Sequence, residues 1–164
     1  MNGASAIKSA GGSGDEWGTP FDLWSEIREK FFPICEIFDP CPNRSRILPG
    51  TYATKLESDG LKMDWGKFAF VNPPFSDIGP WIKKASAAPT ESVLIVPVRS
   101  DQPWWHENVN RGAIVFIRGR VNYVSPIAGK TAGASFPSCL ILFGDRWKHD
   151  LWWPKCHQNR RKKK

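Results

Sequence analysis

No stretch of the 164 residues is an apolar run of membrane-spanning length, and no charged-then-apolar leader opens the chain. Nothing is therefore expected to cross a membrane or to direct secretion, and a cytoplasmic protein is the expectation. Cysteine is scarce. The four cysteines (Cys35, Cys41, Cys139, Cys156) are irregularly spaced and form no C-x2-C pair, so neither a zinc site nor a disulfide framework is favoured, and they read as reduced thiols with no metal. No internal repeat is present. Acidic residues are missing from 155–164, which hold six basic side chains (Lys155, Arg160, Arg161, Lys162, Lys163, Lys164) out of a formal net charge of +7. The basicity is thus a tail. It either holds phosphates non-specifically, with strong salt dependence, or is a solvated end. Residues 1–14 are mostly Gly, Ser and Ala with little to bury and are expected to be disordered. Residues 15–153 form one domain and 154–164 the basic tail.

The chain is organised around residues 67–76, KFAFVNPPFS. The β-prone stretch 67–71 reads as a buried strand that ends at Asn72-Pro73-Pro74-Phe75. Each proline fixes φ and restricts the residue before it, so Asn72 is held extended. The Asn72 side-chain oxygen and the Pro73 carbonyl are two acceptors that can face one NH2 group, and Phe75 offers a flat wall to a planar ring. The exocyclic amine of a nucleobase is a poor nucleophile because its lone pair is delocalised into the ring. Two acceptors drawing its hydrogens out of plane relocalise that pair. The competing reading is a proline-rich turn after a core strand.

Elsewhere the pattern alternates strands and helices. Thr19 reads as the N-cap of a helix over 20–31, with Pro20 at its first position and Leu23, Ile27 and Phe31 on one face. Residues 34–38 read as a strand ending at Asp39-Pro40. Residues 47–65 are loose, with turn signals at Pro49-Gly50 and Asp59-Gly60. Ser76 or Asp77 is expected to cap a helix that buries Ile78, Trp81, Ile82 and Ala85 and leaves Lys83 and Lys84 off that face. Residues 92–96 read as a central parallel strand and 99–106 as a loop on the rim shared with Asn72. There Trp104 and Trp105 either stack on a base or pack over the core, and His106 reads as structural. Residues 113–117 form a strand. Beyond it Gly119 permits a bulge, and Arg118 and Arg120 suit phosphate contact. Residues 129–133 read as a loop able to close over substrate, 139–143 as an antiparallel edge strand beside Val115, and 147–153 as aromatic cover.

Trp17-Gly18-Thr19-Pro20, Phe38-Asp39-Pro40, Asp64-Trp65, Asn72-Pro73-Pro74-Phe75, Trp81-Ile82-Lys83-Lys84-Ala85 and Arg118-Gly119-Arg120 follow one another in an order that resembles the phage-type DNA N6-adenine methyltransferase family, over about residues 15–144. The resemblance implies an α/β fold: a trimmed class I methyltransferase, Rossmann-like, with a mixed, mainly parallel sheet flanked by helices and an antiparallel last strand. It implies S-adenosylmethionine as cofactor, DNA with a flipped or single-stranded adenine as substrate, and a phage or prophage protein acting in a bacterial host. Asn72, Pro73, Pro74 and Phe75 would be catalytic. Trp17, Thr19, Pro20, Asp39, Pro40, Asp59 and Asn72 would contact the cofactor, with Asn43 and Asp64 as further candidates; turn or surface roles for Asp59 and Asp64 stay open. Phe75, Lys83, Arg99, Trp104, Trp105, Arg118 and Arg120 would meet DNA. The chain departs from the family pattern after Asp39, where no glycine occurs until Gly50, so the cofactor cradle has to be built differently. Only about thirty residues separate Asp39 from the Asn72 turn, too few for two strand-helix units. Two rivals stand beside this reading. Protein-glutamine methyltransferases use a similar turn for a planar amide, and a non-catalytic nucleic-acid-binding protein could keep a methyltransferase-like fold.

Overall fold

The computed structural model describes residues 15–42, 48–53, 59–125 and 131–147. The expected disorder of 1–14, the tail, Cys156, Asn43 and the segments 126–130 and 148–153 lie outside them. Chain order is α1 (Phe21–Phe31), β1 (Ile37–Asp39), β2 (Thr51–Ala53), β3 (Phe68–Val71), α2 (Gly79–Ala87), β4 (Glu91–Pro97), α3 (Pro103–Asn108), a 3-10 turn, β5 (Ala113–Phe116), β6 (Asn122–Val124), β7 (Thr131–Gly133), β8 (Ser138–Phe143) and a last 3-10 turn. Six strands form one sheet in the order β2-β1-β3-β4-β8-β5, while β6 and β7 form a separate antiparallel pair. β2, β1, β3 and β4 are parallel, and β8 runs antiparallel to both β4 and β5. This is the mixed, mainly parallel sheet expected of a trimmed methyltransferase-like fold.

The sheet is covered on both faces because its strands are apolar at every position rather than at alternate ones. Phe70, Val93, Ile95, Leu140 and Leu142 point to one side, where they meet Leu23, Trp24, Ile27 and Phe31 of α1. Ala69, Val71, Leu94, Val96, Cys139 and Ile141 point to the other, against Ile78, Trp81, Ile82 and Ala85 around α2. The face predicted for α2 is the one that is buried.

Several boundaries differ from expectation. α1 starts at Phe21, and Pro20 itself, extended at ψ 143°, occupies the cap position without a side-chain cap. Thr19 is thereby moved one residue too far out, and its hydroxyl is buried with no partner. Strand β1 is shorter than 34–38: Pro33 turns the chain out of α1, leaving Ile34 96% exposed. Helix α2 is not capped by Ser76 or Asp77, because Pro80 fits only in a first turn and fixes the start at Gly79. The segment read as a loop over 99–106 contains the short helix α3, again begun by a proline, Pro103. β4 is central, but parallel to β3 alone. β8 pairs Leu140 with Val115 as expected, yet it is an inner strand and β5 is the edge; a run buried at all six positions has no face to give to solvent. The end of the expected mobile loop, Thr131–Gly133, is instead a strand held by Asn122–Val124. Between β1 and β3 the described residues hold one short strand and no helix, in line with the shortage of chain there.

Candidate active site

Chain direction locates the site. From β1 the chain moves outward to β2, then returns to the other side of β1 to form β3, so the sheet order reverses between β1 and β3. In open α/β sheets that reversal leaves a crevice beyond the carboxyl ends of the two strands, and ligands bind there. The residues at those ends are Asp39 and Asn72.

Asn72 is fixed by the segment that precedes α1. Its Nδ2–H donates to the Trp17 carbonyl at 2.7 Å. An amide that turns its NH2 towards a carbonyl must turn its oxygen away, and Asn72 Oδ1 is buried with no hydrogen-bond partner. Two further buried polar atoms in the same segment are also without partners, Trp17 Nε1 and Thr19 Oγ1. Each unsatisfied group costs about 1–3 kcal/mol, and these three lie in residues 17–19 and in Asn72, which is bonded to Trp17. Residues 15–19 form a strap tied down at three points. The Asp15 carboxylate accepts from the Ser76 N–H (3.0 Å) and from its hydroxyl (2.8 Å); Trp17 holds Asn72; and Gly18 exchanges backbone hydrogen bonds of 2.8 and 2.9 Å with Val124 of β6.

Pro73 is buried, whereas Asn72, Pro74 and Phe75 are half-buried. The turn closes with the Asp77 N–H on the Pro74 carbonyl at 3.1 Å. Phe75 packs against both halves of the core and takes edge-to-face contacts from Tyr123 (5.2 Å) and Phe136 (5.6 Å). Its ring is therefore held in one orientation at the rim of the sheet. Beside it opens a cleft of about 390 Å³ lined by Phe75, Gly79, Arg99, Gln102 and Trp104 among others, within the size range of small-molecule sites.

At the end of β1, Asp39 is 5% exposed and accepts the Cys41 N–H at 3.0 Å. Burial pushes its carboxyl up to about 7, although the Cys41 hydrogen bond acts the other way. Burial also pushes the Cys41 thiol up to about 12, helped by the charges of Asp39 and Asp15, so Cys41 stays a thiol at neutral pH. No glycine follows β1 directly, but Gly60 lies against its end. A Cβ on Gly60 would lie 1.9 Å from the buried Pro40 carbonyl, and the Gly60 carbonyl is held by Trp65 Nε1 at 2.8 Å.

Other candidates fall elsewhere. Pro20 is half-buried at the entrance to α1. Asp59 is exposed and engaged with the Leu61 N–H (3.0 Å) and Lys62 (3.3 Å), and exposed Asp64 accepts the Gly66 N–H at 2.8 Å; both behave as turn residues. Lys83 is exposed on α2, off its buried face. Trp104 and Trp105 are half-buried, 5.7 Å apart, and only Trp104 lines the cleft. Arg118 and Arg120 are exposed on either side of Gly119, whose φ of +88° is the left-handed conformation the glycine permits. His106 Nε2 meets the Ser100 carbonyl at 2.7 Å, a structural role. The sequence reading missed Asp15 as the partner of Ser76 and Gly60 as the neighbour of Pro40. The first joins residues 61 apart with no local signal, and the second showed only as a turn glycine.

A family model described as DNA N-6-adenine-methyltransferase (Dam) matches residues 7–163. The chain belongs to this family. A comparison with curated proteins finds no match. Dam family membership places the protein among DNA adenine methyltransferases, enzymes that generally use S-adenosylmethionine, and the Asn72 turn stands where the sheet of this chain reverses. Among the described residues no helix is long and apolar enough to cross a membrane.

Proposed function

We propose that the protein transfers a methyl group from S-adenosylmethionine to the exocyclic N6 of adenine in DNA, and that Asn72 is the group on which transfer depends. The observation that carries this reading is the Asn72 amide: its NH2 is spent on Trp17, and its oxygen is a buried acceptor without a donor. An adenine N6–H supplies that donor, and the Pro73 carbonyl takes the second. Asn72 Oδ1 has no exposure to solvent, so the residues that cover it shift when an amine reaches it.

The residues present fit the cofactor. Trp17 Nε1 and Thr19 Oγ1 offer buried donors, and Asp39 offers an acceptor at the end of β1. When bound, S-adenosylmethionine supplies an electrophilic methyl carbon whose leaving group is a neutral thioether. Bound there, it would give up that methyl carbon to N6 and keep the electron pair on sulfur, and N6 would shed one proton to water. Asn72 and Pro73 accept hydrogen bonds from the amine and hold its lone pair in line, without taking the proton. Alignment therefore matters more than a base. Phe75, fixed by Tyr123 and Phe136, limits where the purine ring can lie. An adenine stacked in duplex DNA cannot reach this rim, so the target is flipped out or single-stranded.

The test is transfer of a labelled methyl group to DNA and to protein acceptors offered together. Label recovered as N6-methyladenine supports the reading. Label on glutamine side chains would assign the turn to amides, and cofactor binding without transfer to either would leave only a binding protein.

A further inference from the structure

The cleft beside Phe75 is not lined by Asn72 or Pro73, so a ring seated in it would not present its amine to those acceptors. It needs another occupant. Its walls combine the flat side chains of Phe75 and Trp104 with the polar side chains of Ser76, Asp77, Arg99 and Gln102, a pairing that suits a nucleobase. Stacking is tolerant of base identity, whereas a Gln amide or an Arg guanidinium discriminates between base edges.

The polar wall is also rigid. Arg99 and Gln102 stand at the two ends of one turn, closed by the Gln102 N–H on the Arg99 carbonyl at 3.0 Å. Behind it, His106 Nε2 holds the Ser100 carbonyl at 2.7 Å, and α3 begins at Pro103. Gln102 Nε2 donates to Asp101 at 2.9 Å, which orients the amide and leaves its oxygen and one N–H for a ligand. The Gln102 hydrogen bond, and less strongly the Arg99 charge, hold the Asp101 carboxyl below the usual carboxylate range, so this acceptor persists at neutral pH. Trp104 packs beside Gly79, where a Cβ would make ordinary van der Waals contact with it at 3.5 Å. A loop with no role in the chemistry has no need of this bracing. A loop that reads hydrogen-bond positions does, because discrimination requires its groups to stay where they are.

We propose that this cleft is a second nucleobase subsite, taking an unstacked base adjacent to the target adenine, with Trp104 as its stacking platform and Gln102 as its specificity-determining residue. The inference rests on the adenine methyltransferase reading. It would let loops of this domain contribute sequence preference.

The test is equilibrium binding of single-stranded oligonucleotides carrying one adenine, with the neighbouring positions varied through the four bases and an abasic residue. Methyl transfer is measured in parallel on the same set. In the wild type, an abasic residue at one neighbouring position weakens binding about tenfold, and one base there is preferred about tenfold or more. Gln102→Ala, at a surface turn, removes the base preference but keeps the abasic effect. Trp104→Ala removes the abasic effect, with Trp104→Leu as the better-packed control for folding. The proposal is overturned if the wild type is indifferent to abasic substitution next to the adenine, or if Gln102→Ala weakens binding equally in every context. Context-dependent binding without methyl transfer would instead reject the catalytic reading and leave the subsite standing.

Discussion

At Asn72 the decisive fact is an orientation rather than a distance. A carbonyl from a segment 55 residues earlier in the chain takes the NH2, and the oxygen is left buried without a donor. At Asp39 it is a protonation state. Its carboxyl titrates near 7 because burial disfavours the charge, whereas the unfolded chain releases the same proton near 3.9. Between those values the folded state holds the proton more tightly, so stability from this group is full below pH 4 and is lost as pH rises towards 7. Wild type is therefore expected to lose on the order of 2–4 kcal/mol relative to Asp39→Asn between pH 4 and pH 8, measured as urea midpoints for both proteins at each pH. A parallel pH dependence of the two proteins would mean that Asp39 is not desolvated as the structure has it. Asp39 is also the candidate cofactor contact at the end of β1, so the same titration is expected to appear in the pH dependence of cofactor affinity and to vanish in Asp39→Asn.

Among the elements, the site is held together by contacts that no single segment announces. Gly60 lets a returning loop lie against the carbonyl of Pro40. In Gly60→Ala the new methyl has only backbone to push against, and a loss of about 3 kcal/mol or more is expected, with cofactor affinity falling alongside stability. The strap is fastened at its outer end by Asp15 on Ser76. Asp15→Ala is expected to speed hydrogen exchange at Gly18 and Val124, whose mutual hydrogen bonds hold its other end, by roughly tenfold for about 1.4 kcal/mol of lost anchoring. Unchanged exchange would show that the strap is held by Trp17 packing alone. The strands and the buried face of α2 were legible because continuous apolar runs and a 3.6-residue period are local signals. The starts of α1 and α2 were less so: a proline can be either a first helical residue or the residue that delays the helix, and neighbouring contacts decide which. β6, β7 and the strap pairing were illegible because short polar strands owe their existence to partners far along the chain. For the site, Asn72, Phe75 and Asp39 could be named from sequence, while Asp15 and Gly60 could not.

Across the whole molecule, the sheet keeps what positions the chemistry and omits the rest. Parallel β1 and β3 flank the reversal point, β8 inserts antiparallel between β4 and β5, and one edge strand stands where a fuller fold would have two units. On the proposed reading, the two carboxyl ends meeting at one crevice would give the chain a cofactor side at Asp39 and the strap, and a base side at Phe75 and the cleft. The most direct measurement of this arrangement is single-turnover transfer of a labelled methyl group from S-adenosylmethionine to adenine in single-stranded DNA by wild type and Asn72→Ala, with unfolding curves for both. Removing a positioning acceptor worth about 3–4 kcal/mol in the transition state predicts a rate about a thousandfold lower in the variant, with cofactor affinity changed far less. A folded Asn72→Ala that transfers methyl groups at the wild-type rate would contradict the account.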